Sequence, residues 1–125
     1  MRVFPCVFII GGLIYGLLEL IWRGWTHWTM LICGGICFAI MYAIGATRLA
    51  APKKLILSAG AITAVEFITG CLVNLKWGMN VWDYSACKFN LLGQICPSFT
   101  MLWLGLSAPG LALCRVLRGL LQGDQ

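Results

Sequence analysis

Leu55-Ile-Leu-Ser-Ala-Gly-Ala-Ile-Thr-Ala-Val-Glu66-Phe-Ile-Thr-Gly-Cys-Leu-Val-Asn-Leu75 is a 21-residue run with a single charged side chain, Glu66. About 20 apolar residues are what a helix needs to cross the hydrocarbon core of a bilayer, so the run reads as a transmembrane span. At about 1.5 Å per residue, Glu66 lies about 18 Å along the helix from Lys54 and about 15 Å from Lys76, near the middle of the membrane. A carboxylate at that depth costs about 2.5 to 3.5 kcal/mol on insertion scales, so Glu66 must face the bundle interior, find a partner, be protonated or line a wet cavity.

Three similar runs surround it. Residues 3–22 are broken only by Glu19, residues 28–47 carry no charge, and residues 95–116 open near Pro97 and contain Pro109-Gly110, expected to kink the helix. The chain thus reads as an all-α integral membrane protein, one domain over residues 1–125 with four spans. Composition agrees: 61% of residues are hydrophobic, 10% are charged and mean hydropathy is +0.91, where soluble domains carry about a quarter charged residues. The length leaves no room for a separate catalytic or nucleotide-binding module. The first run is too long for a signal-peptide core and lacks a small-x-small cleavage site, so it is expected to stay attached.

The net charge of +5 is spread between the spans, the pattern of topology signals, and nucleic acid is not an expected partner. With four spans, Arg2, Arg48, Lys53, Lys54, Arg115 and Arg118 fall on one side of the membrane, and Arg23, Lys76 and Lys88 on the other. This asymmetry predicts that both termini are cytoplasmic and that residues 77–94 lie outside. Polar side chains then gather in the outer half, as do Trp22, Trp25, Trp28, Trp77 and Trp82. Trp25, Trp28 and Trp77 fit an aromatic belt at headgroup level.

Glu19 and Arg23 stand four apart, the spacing of a helical salt bridge, and Thr26 and His27 follow at once. Asp83 in Trp82-Asp83-Tyr84-Ser85 is placed to accept a backbone N–H two residues on. The stretch 86–94, with Lys88, Asn90 and Gln94, is too polar to span. Its Phe89, Leu91 and Leu92 suit the interface or the mouth of the bundle. Among seven cysteines, Cys6, Cys33, Cys37 and Cys114 sit in apolar runs as small hydrophobes. Cys87 and Cys96 bracket the 86–94 stretch, where an oxidising exterior would permit a disulfide. Cys33-Gly-Gly-Ile-Cys37 has the wrong spacing for a C-x-x-C redox pair and suits helix packing through Gly34 and Gly35. Gly12 and Gly16, with the small face Ala59-Gly60-Ala61 and Ala64, predict close packing of the first span on the third. Motifs for nucleotide hydrolysis, zinc proteolysis and serine hydrolysis are absent, and no metal or cofactor is expected. Glu19-Leu-Ile and Glu66-Phe-Ile recur 47 residues apart on odd-numbered spans. A duplicated two-helix unit would set the two glutamates facing each other.

The stretches 16–24 (GLLELIWRG), 63–70 (TAVEFITG), 81–85 (VWDYS) and 89–94 (FNLLGQ), with Thr26, His27, Trp28 and Asn74, resemble a bacterial family of small membrane proteins, the ABC-transporter permease type IV or CmpB-like family of Firmicutes. The resemblance covers most of the chain. It implies a multi-pass plasma-membrane protein connected with transport, and its pattern carries Glu19, Arg23, His27, Glu66, Asn74, Trp82, Asp83, Tyr84, Ser85, Asn90 and Gln94. The Cys87-Lys88 step departs from it, since the family tends to an apolar or proline-containing step there. Nothing resembles the coupling helix that a permease offers its ATPase, and four spans are few. A homo-oligomer or separate transporter subunits would have to complete a transporter, besides the lipid bilayer itself.

Three readings of function follow. The first is a transporter or transporter subunit with an outward-facing polar pocket formed by the residues just named, its substrate unspecified. The second is a non-catalytic interaction or assembly protein in which the same groups tie helices together. The third is a membrane-embedded enzyme using Glu19, His27 and Asp83, weakly supported because no nucleophile or metal set accompanies the single histidine. Within the pocket, Arg23 is expected to reach Glu66 and bridge it to Glu19; failing that, Glu66 would turn to Asn74, His27 or loop hydroxyls.

Overall fold

Helix formation by these apolar runs follows from the bilayer, where every backbone polar group must be satisfied within its own segment. The computed structural model describes residues 3–122. Arg2, counted above among the topology signals, lies outside the described residues. Among the described residues there are four helices, all long and apolar enough to cross a membrane: α1 (Val3–Arg23), α2 (Trp28–Gly45), α3 (Ala51–Gly70) and α4 (Pro97–Gln122). α3 continues without a break into a π-helical turn, Cys71–Lys76. Its widened winding shows in the bond from Trp77 N–H to the Leu72 carbonyl at 3.0 Å, five residues back.

Helix ends follow local chemistry. α1 stops at Gly24, whose φ of +81° is a left-handed conformation that glycine adopts without cost. α2 starts on His27, whose Nδ1 accepts the Thr29 N–H at 3.3 Å. Its last carbonyls are met by cations from neighbouring elements: Lys54 Nζ donates to Gly45 O at 2.9 Å, and Arg118 Nη2 donates to Tyr42 O at 2.5 Å while lying over the Tyr42 ring. Pro97 opens α4, where its missing N–H costs nothing. The helix carries on through Pro109 as one element.

α2 is the hub, packed against α1, α3 and α4, and its contact with α1 is the most extensive. That contact corrects the expected pairing of the first and third spans. A Cβ on Gly12 would sit 2.7 Å from the Leu31 carbonyl oxygen, and one on Gly35 would sit 2.7 Å from the Phe8 carbonyl oxygen. The small residues of α1 therefore mesh with Gly34-Gly35 of α2, whereas nothing lies within 4 Å of a Cβ built on Gly60. Composition marks both faces as small; adjacency in the chain, through the four-residue turn 24–27, favours α2 as the partner.

Two apolar clusters hold the bundle. Val3, Val7, Phe38, Met41, Tyr42 and Cys114 fill the end near the termini. Met30, Val73, Val81 and Trp82, with Tyr15 and Tyr84 against them, fill the opposite end, where residues 77–96 fold back as a loop. This loop lies on α3 so closely that a Cβ on Gly70 would approach Gln94 Cβ and Trp82 Cζ2 to 3.0 Å each.

Candidate functional site

Glu66, only 5% exposed, accepts hydrogen bonds on both carboxylate oxygens. The Tyr84 hydroxyl donates to Oε2 at 2.9 Å, and the Trp103 indole N–H donates to Oε1 at 3.1 Å. α3 supplies the carboxylate, the loop brings the phenol down from the membrane surface and α4 brings the indole. Tyr84 is held in place by face-to-face stacking on Phe99, with ring centroids 4.4 Å apart and planes 6° apart. Burial, and then the neighbouring Glu66 carboxylate, keep its phenol well above the usual range, so it stays a donor. On the other side Trp103 leans toward Tyr15 of α1, with centroids 6.1 Å apart.

The expected bridge from Arg23 to Glu66 is not formed. Arg23 Nε pairs with Glu19 Oε2 at 2.6 Å, Nη1 donates to the Val81 carbonyl at 2.9 Å, and the guanidinium lies 4.0 Å over the Trp25 ring. The i, i+4 partner and a loop carbonyl occupy the donors that would have turned inward. Nη2 is buried without a hydrogen-bond partner. Glu66 takes instead one of the loop hydroxyls, and Trp103, which the sequence reading passed over. The signal for Trp103 was its position about 9 Å inside the fourth span, apart from the belt, where an indole N–H must find an acceptor. Tyr15, also passed over, lies within electrostatic range of Glu19. Glu19 lies within electrostatic range of Glu66, so both glutamates belong to one acidic neighbourhood.

The other expected site residues build the cover. Asn74, on the π-helical turn, accepts the Val81 and Trp82 backbone N–H groups on Oδ1 at 2.7 and 3.4 Å and donates through Nδ2 to Gln94 Oε1 at 2.8 Å. Gln94 Nε2 donates to the Leu92 carbonyl at 2.9 Å, and its own carbonyl accepts the Trp82 indole N–H at 3.1 Å. Trp82 is buried, so it does not join the aromatic belt, whereas Trp25, Trp28 and Trp77 are exposed. Asp83 closes the expected turn, accepting the Ser85 N–H at 2.9 Å and the Ser85 hydroxyl at 2.5 Å. These bonds hold the Asp83 carboxyl below its usual range, the hydroxyl being the larger cause. Asn90 donates to the Cys87 and Ser85 carbonyls at 2.9 and 3.2 Å and accepts the Gly93 N–H at 2.9 Å. His27 caps α2, 2.7 Å from the Thr29 hydroxyl, with its ring tilted beside Trp28 at 5.6 Å between centroids.

The arrangement is a buried carboxylate under a phenol lid, with the Glu19–Arg23 ion pair on α1 as the nearby charged pair. Two clefts open elsewhere on the described residues, and neither is lined by Glu66. One, of about 360 Å³, runs between Phe89, Leu91 and the start of α4; the other, of about 210 Å³, lies between α2 and α3 beside Trp28 and Trp77. Among the described residues, no group of three or more His, Cys, Asp or Glu is placed to hold a metal ion.

The model of a family described as "Putative ABC-transporter type IV" matches residues 6–122. No curated protein and no solved structure matches the chain.

Proposed function

The chain belongs to that ABC-transporter type IV family and is a multi-pass protein of the bacterial plasma membrane, and on this premise we propose that it is a transporter or transporter subunit whose site is the acidic pocket around Glu66. The observation that carries the reading is a carboxylate buried in a membrane span with neutral donors only: Tyr84 and Trp103 bond to it, while Arg23 is engaged with Glu19. A group so placed gains most from a cation or a proton, because charge neutralisation inside the bilayer removes the largest cost of keeping it there. Two carboxylates against one guanidinium favour a cationic solute.

The topology proposed with this reading has both termini cytoplasmic and the 77–96 loop outside, on the six-to-three distribution of basic residues. The pocket then faces outward beneath Tyr84 in a closed state, and displacement of the loop opens it. Asn74, Trp82, Asp83, Ser85, Asn90 and Gln94 set the position of Tyr84, and His27 fixes the α1–α2 turn. Glu19 and Glu66 on odd-numbered helices, in range of each other, support descent from a duplicated two-helix unit. Oligomerisation or separate subunits supply the additional spans, and any ATP-driven step belongs to a partner chain.

Thermal unfolding of the purified chain in detergent, with a panel of alkali, alkaline-earth and alkylammonium chlorides, tests the site. At least one cation is expected to raise the midpoint of the native chain and leave Glu66→Gln unmoved. Equal shifts in both, or none in either, would return the site to a purely structural tie between helices.

A further inference from the structure

The segment 87–96 is folded on little apolar core of its own. Phe89 is 87% exposed, and Leu91 and Leu92 are also exposed. Phe89 and Leu92 hold φ values of +59° and +54°, the left-handed region that non-glycine residues enter only at a cost. Local hydrogen bonds give the segment its shape. Cys87 N–H donates to Tyr84 O at 2.8 Å, Tyr84 N–H to Gly93 O at 2.6 Å, and Leu91 N–H to Ile95 O at 2.9 Å, while Asn90 ties Cys87 to Gly93. The result brings the two ends of the segment together, with Cys87 and Cys96 near enough to influence each other electrostatically. Both are free cysteines, Cys96 buried at the head of α4 and Cys87 half-buried toward the surface. A small loop that cannot bury enough apolar surface is where a covalent tie contributes most.

We propose that Cys87 and Cys96 are a modification site, joined in the mature protein by a disulfide that latches the loop over Glu66. This rests on the reading that places the 77–96 loop outside the cell. The oxidant is the disulfide of an extracytoplasmic thiol oxidoreductase. Cys87, the reachable partner, loses its proton and attacks one sulfur of that disulfide, which forms a mixed disulfide and releases one enzyme thiolate. Cys96, deprotonated in turn, attacks Cys87 Sγ and displaces the second enzyme thiolate. Two protons and two electrons leave the chain, and the oxidoreductase is left as a dithiol. Because Tyr84 is bonded into the same segment, the bond holds its hydroxyl against the Glu66 carboxylate.

The test uses membranes from bacteria expressing the full chain, quenched with N-ethylmaleimide before solubilisation. Trypsin cuts after Lys76, Lys88 and Arg115, which separates a peptide with Cys87 from one with Cys96 and Cys114. An unreduced digest is expected to contain the two peptides linked, with fragmentation assigning the bond to Cys96, and to lose the linked species on reduction. A companion experiment treats intact cells with a membrane-impermeant maleimide after mild reduction. If both cysteines carry N-ethylmaleimide while the impermeant reagent labels Cys87, the loop is outside with free thiols and the proposal is overturned alone. If both carry N-ethylmaleimide and the impermeant reagent fails to label, the topology itself is wrong and the proposal falls with it.

Discussion

Replacing Tyr84 by Phe removes one hydroxyl and nothing else of consequence, because the ring stacked on Phe99 at 4.4 Å is retained. The hydroxyl lost is the one 2.9 Å from Glu66 Oε2. A hydrogen bond to a charged group contributes about 1.5 to 3 kcal/mol, against about 1 kcal/mol for a neutral one. Glu66 has only 5% of its surface exposed, so water does not replace the lost donor, and the substitution is expected to cost about 1.5 to 3 kcal/mol if the carboxylate is ionised and about 1 kcal/mol if it is protonated. The second leg of the cycle repeats the change in a Glu66→Met background. There the tyrosine hydroxyl has no acceptor, and removing it should cost nothing or stabilise slightly, since an orphaned buried polar group is itself a penalty. Unfolding in mixed micelles by SDS titration, followed through tryptophan emission, measures all four species. Equal losses from Tyr84→Phe in both backgrounds would refute the reasoning, because the hydroxyl would then owe nothing to Glu66.

Gly35→Ala should destabilise the chain by about 1 to 3 kcal/mol, since its new methyl would meet a backbone carbonyl rather than a side chain that can move. Gly60→Ala, with open space around it, should be neutral or stabilising by up to about 1 kcal/mol in the same titration. In double-mutant cycles read the same way, Arg23→Gln should couple strongly to Glu19→Gln and weakly to Glu66→Gln, and the reverse order would restore the Arg23–Glu66 bridge. Asp83 has its carboxyl held low in the folded loop, so its contribution is fully present above the ordinary carboxylate value of about 4 and is lost as pH falls through the lower folded value. The protection factor of the Ser85 amide, the intrinsic exchange rate over the observed rate at the same pH, should accordingly hold at pH 5, fall only in stronger acid, and be low throughout in Asp83→Ala.

The span on which each polar group sits was legible in the sequence, whereas its rotation about the helix axis was not. Run length and the scatter of charges fix four spans, and a carboxylate in the 55–75 run has to be buried and partnered. Asp83 followed by Ser85 announces its own turn. Hydropathy does not say which neighbour a small face or a carboxylate meets. Glycines on the first and third spans look alike, and only packing shows that Gly12 and Gly16 meet α2. The Glu19–Arg23 spacing was visible, but not that Val81 and Trp25 would occupy the rest of the guanidinium. Trp103 escaped notice because an indole in an apolar run counts as hydrophobic until its N–H is asked for an acceptor. The π-helical turn, which aims Asn74 at the loop, leaves no mark in a composition that reads as ordinary helix.

The central claim is that Glu66 carries the transported charge, and flux measures it most directly. Native chain and Glu66→Gln, each reconstituted into liposomes with any partner subunits that co-purify, would be given an outward-to-inward cation gradient, with an internal pH dye and ion-sensitive dyes as readout. The account predicts cation or proton entry through the native chain and none through Glu66→Gln, with both proteins folded by tryptophan emission. Equal entry through the two would contradict it.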